Sequence, residues 1–221
     1  MAAGREDTYF IHRINSCYEP RRSLEFAREG DTALQDFIRK REAALKRLAD
    51  VEPAIVQIAK VIARAVEDGH TIFTCGNGGS AAMAQHFTGE LVGRFTKERR
   101  SLPSVSLNSD TSVLTCLVND YGIDRMFSRQ VEGLMRPGDI LFCLSTSGNS
   151  DNIIAALKKA KELGHASVAL LGKDGGRAKG LATWELIAPG EETAIIQEVH
   201  LAIVHYICTV VDAEVAGDHA R

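Results

Sequence analysis

His86 and Glu90 stand four positions apart behind a glycine-rich stretch, so on a helix their side chains share one face. An imidazole and a carboxylate placed that way can give one metal ion two ligands or one substrate an acid/base pair. Near the end of the chain, Gln197, Glu198, His200 and His205 are spread among Ile195, Ile196, Val199, Leu201 and Val204. Gln197 and His205 are eight residues apart, about 12 Å along a helix axis, which is too far for one ion to reach both from a straight helix. If both serve one kind of site, residues of a second chain complete it, which argues for an oligomer with active sites at subunit interfaces. His200 reads equally well as a satisfied core or interface histidine.

Two loops suit oxyanions. Gly76-Asn77-Gly78-Gly79-Ser80 lies between an apolar run and the helical AAMAQHF. Its glycines let the backbone turn tightly and approach a ligand. Ser80 is the expected N-cap, with free N–H groups and the positive end of the helix dipole behind it. Ser145-Thr146-Ser147-Gly148-Asn149-Ser150 sets four hydroxyls around a glycine at a second strand-to-helix junction, more than a single cap requires. Neither loop is a Walker A sequence or a G-x-G-x-x-G dinucleotide signature, so nucleotide binding is the weaker reading.

The elements that position these residues follow from the hydropathy pattern. TIFTC (71–75), LPSVSL (102–107), DILFCLS (139–145), ASVALL (166–171) and TWELIA (183–188) are short apolar runs separated by helical stretches. Runs without strict alternation predict parallel strands buried on both faces of a doubly wound α/β sheet. Ligands in such folds bind beyond the carboxyl ends of the strands, here just after Cys75 and Ser145. Upstream, Leu34, Phe37, Ile38, Ala44 and Leu45 recur at helical spacing. A second helix opens with Pro53 in its first turn, buries Ile55, Ile58, Val61, Ile62 and Ala65, and ends near Gly69. Residues 1–32 read as an arm, 33–215 as a single domain and 216–221 as a tail.

At 221 residues, with 45% apolar and 25% charged residues, the chain has the composition of a globular protein. A net charge of −3 argues against general nucleic-acid binding, and no run approaches the ~18 apolar residues of a membrane span. The N-terminus lacks the apolar core of a signal peptide. Cys75, Cys116, Cys143 and Cys208 fall in apolar runs, where cysteine acts as a small buried hydrophobe, and no CxxC pair occurs. These features point to a reducing cytoplasm.

GNGGSAAMAQHFTGELVGRF, NDYG at 119–122, STSGNS, GKDGG at 172–176 and IQEVHLAIVH together resemble the bacterial phosphoheptose isomerases of the sugar isomerase (SIS) superfamily. The resemblance runs from about residue 34 to 213. It implies a five-stranded parallel sheet flanked by helices, with the N-terminal helices used in assembling a homotetramer. It also implies conversion of sedoheptulose 7-phosphate to an aldose heptose 7-phosphate, with one zinc ion (Zn2+) per active site. Matched motif by motif, His86, Glu90, Gln197 and His205 correspond to zinc ligands. Asn77, Gly78, Gly79, Ser80, Glu90, Asn119, Asp120, Ser145, Thr146, Ser147, Ser150 and Gln197 correspond to substrate contacts. Glu90 is the expected base at carbon and His205 the acid/base near the oxygens. Ile195 departs from the pattern, since relatives often carry arginine there, and this removes a charge near the site. Two other readings share the motifs: a non-catalytic SIS protein that binds a replication initiator, and an isomerase of another phosphosugar. Retention of Glu90, Ser147 and His205 favours catalysis.

Overall fold

A computed structural model describes residues 32–215; most of the expected arm and all of the expected tail lie outside the described residues. Residues 38–215 form one compact unit, and the described residues 32–37 belong to another. In the described part of the latter, Thr32 and Gln35 cap α1 (Ala33–Lys46) reciprocally. The Gln35 N–H donates to Thr32 Oγ1 at 3.2 Å and the Thr32 N–H to Gln35 Oε1 at 2.8 Å.

Pro53 opens α2 (Glu52–Glu67), as its spacing predicts, and Ile55, Ile58, Ile62 and Ala65 are buried, with Val61 half-buried against them. The chain then alternates: β1 (Ile72–Gly76), α3 (Gly79–Val92), β2 (Ser104–Ser106), α4 (Thr111–Tyr121), α5 (Ser128–Leu134), β3 (Ile140–Ser145), α6 (Asp151–Glu162), β4 (Ala166–Leu171), β5 (Trp184–Ile187) and α7 (Thr193–Val215). All strand pairs are parallel, in the order β2-β1-β3-β4-β5. The strand order reverses at β1, so the loops leaving β1 and β3 flank the switch point where such sheets bind ligands.

Alternate residues of β1, β3 and β4 feed two cores. Ile72, Ile140, Phe142, Leu144, Val168 and Leu170 pack with α2, α3 and α7 on one face. Phe73, Cys75, Leu141, Cys143, Ala169 and Leu171 pack with α5 and α6 on the other. Phe87 seats α3 on the sheet, its ring 4.8 Å from that of Phe142; burying such a side chain contributes about 1.5–3 kcal/mol. Thr74 Oγ1 donates to the Ala84 carbonyl at 2.9 Å and meets Thr88 Oγ1 at 2.9 Å, tying α3 to β1. The helix that carries His86 and Glu90 is therefore held along its length.

α7 is long and apolar enough to cross a membrane by composition, yet Ile196, Val199, Ile203, Val204, Ile207 and Val211 are buried in the first core. One expectation needs correction: Cys116 is exposed, because α4 buries none of its own residues. The helix expected from about residue 33 is present as α1, with Ala44 buried and Ile38 and Leu45 51% and 43% exposed.

Candidate active site

The first loop turns directly out of β1. Gly78, not Ser80, is the N-cap of α3, at φ 54°, and Ser80 is drawn inside the helix and buried. The Ser80 and Ala81 N–H groups are spent on the Asn77 and Gly78 carbonyls at 3.0 Å each. Two donors expected to be free at this helix start are thus used within the turn. Asn108, just beyond β2, accepts from the Gly76 N–H at 3.1 Å and donates to the Gly76 carbonyl at 3.0 Å, bracing the loop from one side.

The second loop is shaped by its own hydroxyls. Ser145 Oγ accepts from the Gly148 N–H and Ser147 Oγ from the Asn149 N–H, both at 3.1 Å. Ser150 is the N-cap of α6 but its hydroxyl caps nothing, and among the described residues the Thr146 and Ser150 hydroxyls have no hydrogen-bond partner. The turn after β4 supports the loop: the Ala178 N–H donates to Gly148, and Arg177 donates through Nη2 to the Asn149 carbonyl at 2.7 Å. Arg177 also pairs with Asp151 at 2.8 Å, which places a guanidinium beside the hydroxyl-rich loop.

α3 and α7 bring the His/Glu cluster together. His86 Nε2 lies 3.2 Å from Glu90 Oε1 and 3.0 Å from His205 Nε2. One donor atom from each of the three residues lies within 4.8 Å of the others. Phe95 stacks on the His205 ring, centroids 5.5 Å apart, and fixes its plane. Two imidazole nitrogens bound to one tetrahedral zinc stand about 3.3 Å apart, given bonds of 2.0–2.1 Å. The observed separation and the nitrogen/oxygen donor set fit zinc. Beside the cluster, burial first and then the negative charges of Glu90 and Asp212 push the Cys208 thiol up to about 12, against the opposing effect of Arg99. That thiol is inert at neutral pH.

A buried ion pair holds the far end of this helix pair. Asp212 on α7 accepts from Arg99 Nε and from the Thr96 and Lys97 N–H groups, while Arg99 donates to the carbonyls of Glu90 and Leu91. The Glu90 backbone is thereby tied to α7.

Other expected site residues are not gathered here. The Gln197 amide lies against Gly79, where an added Cβ would come within 2.6 Å of its Nε2, about 10 Å of helix rise from His86. Asn119 and Asp120 are exposed at the end of α4, where Asp120 accepts from Asn119 Nδ2 at 2.7 Å and from the Cys116 thiol. Asn77 donates to and accepts from Asn152, at 2.9 and 2.8 Å. His200 is fully buried, with Nε2 bonded to the Leu171 carbonyl at 3.0 Å and Nδ1 unpartnered, and burial lowers its pKa to about 4 despite that bond. It is a neutral core residue. Ile195, the noted departure from the motif, is buried. Sequence reasoning missed Asn108, Asn152 and Arg177; the proximity of Asn152 to STSGNS was its one available signal.

Residues 36–172 match the SIS domain family. The chain is 49% identical to the phosphoheptose isomerase of Aquifex aeolicus over 175 residues, covering 78% of this chain and 92% of that one. Among solved structures, the phosphoheptose isomerase of Neisseria gonorrhoeae is 41% identical with a TM-score of 0.71, covering 80% of this chain and 92% of that chain. That of Francisella tularensis is 35% identical with a TM-score of 0.76, covering 83% and 100%.

Proposed function

The chain belongs to the phosphoheptose isomerases, built on the SIS domain, and from that premise we propose that His86, Glu90 and His205 carry its chemistry. It is a sugar-phosphate isomerase that converts sedoheptulose 7-phosphate to D-glycero-D-manno-heptose 7-phosphate in heptose biosynthesis. The observation that carries the site assignment is the meeting of three donor groups, from two helices, within 4.8 Å.

Aldose–ketose isomerisation moves a proton between adjacent carbons through an enediol and needs a base at carbon, an acid/base at the oxygens and stabilisation of the developing charge. Glu90 takes the proton from carbon. His205, its ring held by Phe95, exchanges protons with the oxygens. His86, Glu90, Gln197 and His205 are the residues that would hold zinc, which when bound supplies Lewis-acid polarisation of the carbonyl. The hydroxyls of Thr146 and Ser150, with Ser80, Ser145 and Ser147 shaping the loops, receive the phosphate. Held far from the reacting carbons, the phosphate contributes binding energy to orientation. Gly78 and Gly79 let the sugar chain approach the backbone, with Asn77, Gln197, Asn119 and Asp120 around it.

Asn119, Asp120 and Gln197 stand apart from the cluster within one chain, so we assign the working form to a homotetramer whose subunits complete one another's sites. Val113, Val118 and Tyr121, exposed on α4, supply apolar surface for that contact. The free, buried thiols of Cys75, Cys143 and Cys208 suit the reducing cytoplasm, where we place the enzyme.

The test is to incubate metal-replete protein with sedoheptulose 7-phosphate and follow aldose phosphate by NMR, beside a chelated control and the Glu90→Gln variant. Zinc-dependent turnover, lost by about 10²–10⁴ in Glu90→Gln, is the expected result. Wild-type rates in that variant would remove Glu90 from the mechanism.

A further inference from the structure

Asn152 is a buried amide in the first turn of α6, only 4% exposed, and its side chain reaches across the switch point to Asn77, 75 residues earlier. The pairing is reciprocal: Asn77 Nδ2 donates to Asn152 Oδ1 at 2.9 Å, and Asn152 Nδ2 donates to Asn77 Oδ1 at 2.8 Å. The Ile153 N–H also donates to Asn152 Oδ1 at 3.0 Å, which fixes which atom of this amide is oxygen and therefore orients both partners. Among the described residues this is the only side-chain link between residues 76–80 and 145–152. The other side-chain bonds to the first loop come from Asn108, and those to the second from within it or from Arg177.

We propose that Asn152 is a positioning residue for the isomerase, clamping the GNGGS and STSGNS loops at a fixed separation through its paired amide with Asn77. The inference rests on the phosphosugar reading of these loops. It gives the Asn77 side chain a second role beside the substrate contact implied by the resemblance: Asn152 takes one Nδ2 hydrogen and one Oδ1 lone pair, and the exposed amide keeps the others. The two loops must grip one extended, phosphorylated chain, so their separation sets how well the phosphate and the reacting end fit at once. Beneath them β1 and β3 run in register, Gly76 opposite Leu144, so the strands set the coarse spacing and the amide pair the fine spacing. Asn152 is the buried member and Asn77 the exposed one, so it is the Asn152 amide whose lost partner is costly.

A double-mutant cycle tests this. Asn77→Ala and Asn152→Ala should each raise KM for sedoheptulose 7-phosphate about tenfold, leave kcat within about threefold, and in combination raise KM no further than either alone. Asn152→Asp keeps the acceptor for Asn77 and Ile153 and guards against a folding failure; it should fall between wild type and Asn152→Ala. Fully multiplying effects, near a hundredfold in the double variant, would show that Asn77 and Asn152 act independently and would overturn the clamp. A readout free of catalysis accompanies the cycle: in the 15N spectrum of the wild-type protein the Asn152 side-chain amide should exchange slowly with solvent, and Asn77→Ala should speed that exchange. Fast exchange at Asn152 in wild type also overturns it. An enzyme inactive on phosphosugars but with a slowly exchanging Asn152 amide would instead sink the substrate assignment and leave the clamp standing.

Discussion

The Nε2 atoms of His86 and His205 stand 3.0 Å apart although 119 residues separate them in the chain. At that distance the two rings either share one proton, one donating and the other accepting, or turn both lone pairs toward an ion. Glu90, against the same His86 nitrogen, favours the second arrangement when metal is present. His205→Ala should therefore weaken zinc binding by about 100-fold or more while Tm changes little, because His205 is only half-buried. Competition with a fluorescent chelator measures it. Unchanged zinc affinity would remove His205 from the ligand set.

Asp212 and Arg99 are each 1% exposed at the side chain, deep between α3 and α7. Burial alone would raise the Asp212 carboxyl, but the Lys97 and Thr96 N–H groups, Arg99 and the Thr96 hydroxyl outweigh it and hold the group below its ordinary value. A depressed carboxylate contributes stability that is present above its unfolded pKa, about 4, and is lost as pH falls through the lower folded value. Asp212→Asn leaves the guanidinium buried without its counter-charge, at an expected cost of about 3–5 kcal/mol, or roughly 10 °C in Tm at pH 7. The gap from wild type should narrow below about pH 4. Thermal melts across pH 3–7 follow both effects (the range brackets the carboxylate titration); a loss under about 2 °C at pH 7 would show that the pair is not structural.

All five strands were legible in the sequence to within about two residues, because a run buried on both faces has a different period from its helical neighbours. The two loops were legible for the same reason, as glycine and hydroxyl clusters at strand ends. What failed was what local pattern cannot encode. The expected cap at Ser80 went to Gly78, whose backbone already turns the chain, so the serine is swallowed by the helix. The spacing of Ile38 and Leu45 did give the helix α1, although periodicity reports that a face is greasy and not what covers it. Cys116 lies in an apolar run on a helix that buries nothing. The amide pair of Asn77 and Asn152 has no period at all, since its partners meet only after the sheet has formed. The spacing of His86 and Glu90 was visible locally, whereas His205 joined them through family likeness alone.

Gly79→Ala separates stability from activity. A Cβ at this position would stand 2.6 Å from Gln197 Nε2, and the obstructing atom is the far end of a flexible side chain. The amide can swing away without disturbing the backbone. Alanine in the first turn of α3 gains up to about 1 kcal/mol of helix propensity over glycine. The variant should therefore melt at or slightly above the wild-type temperature, while kcat/KM falls about tenfold or more as Gln197 leaves its place. Equal activity would show that the position of Gln197 does not matter to the reaction.

His200 supplies a pH test of the core. Its ring is fully buried on α7, and burial lowers its pKa to about 4 despite the bond to the Leu171 carbonyl, so the folded state holds it neutral. The unfolded chain, with histidine near 6.5, binds the extra proton more readily, so stability falls as pH drops from about 6.5 toward 4. Between pH 7 and 5 that amounts to about 2 kcal/mol from this residue. His200→Leu removes the titration, and the Leu171 carbonyl keeps a partner in the Ala188 N–H at 2.8 Å, so no buried acceptor is orphaned. The unsatisfied Nδ1 also disappears. Urea unfolding at pH 7 and pH 5 should show a smaller loss for His200→Leu than for wild type, by roughly that 2 kcal/mol. Parallel losses in the two proteins would mean that His200 exchanges its proton in the folded state as easily as in the unfolded chain, and that the core around it admits water.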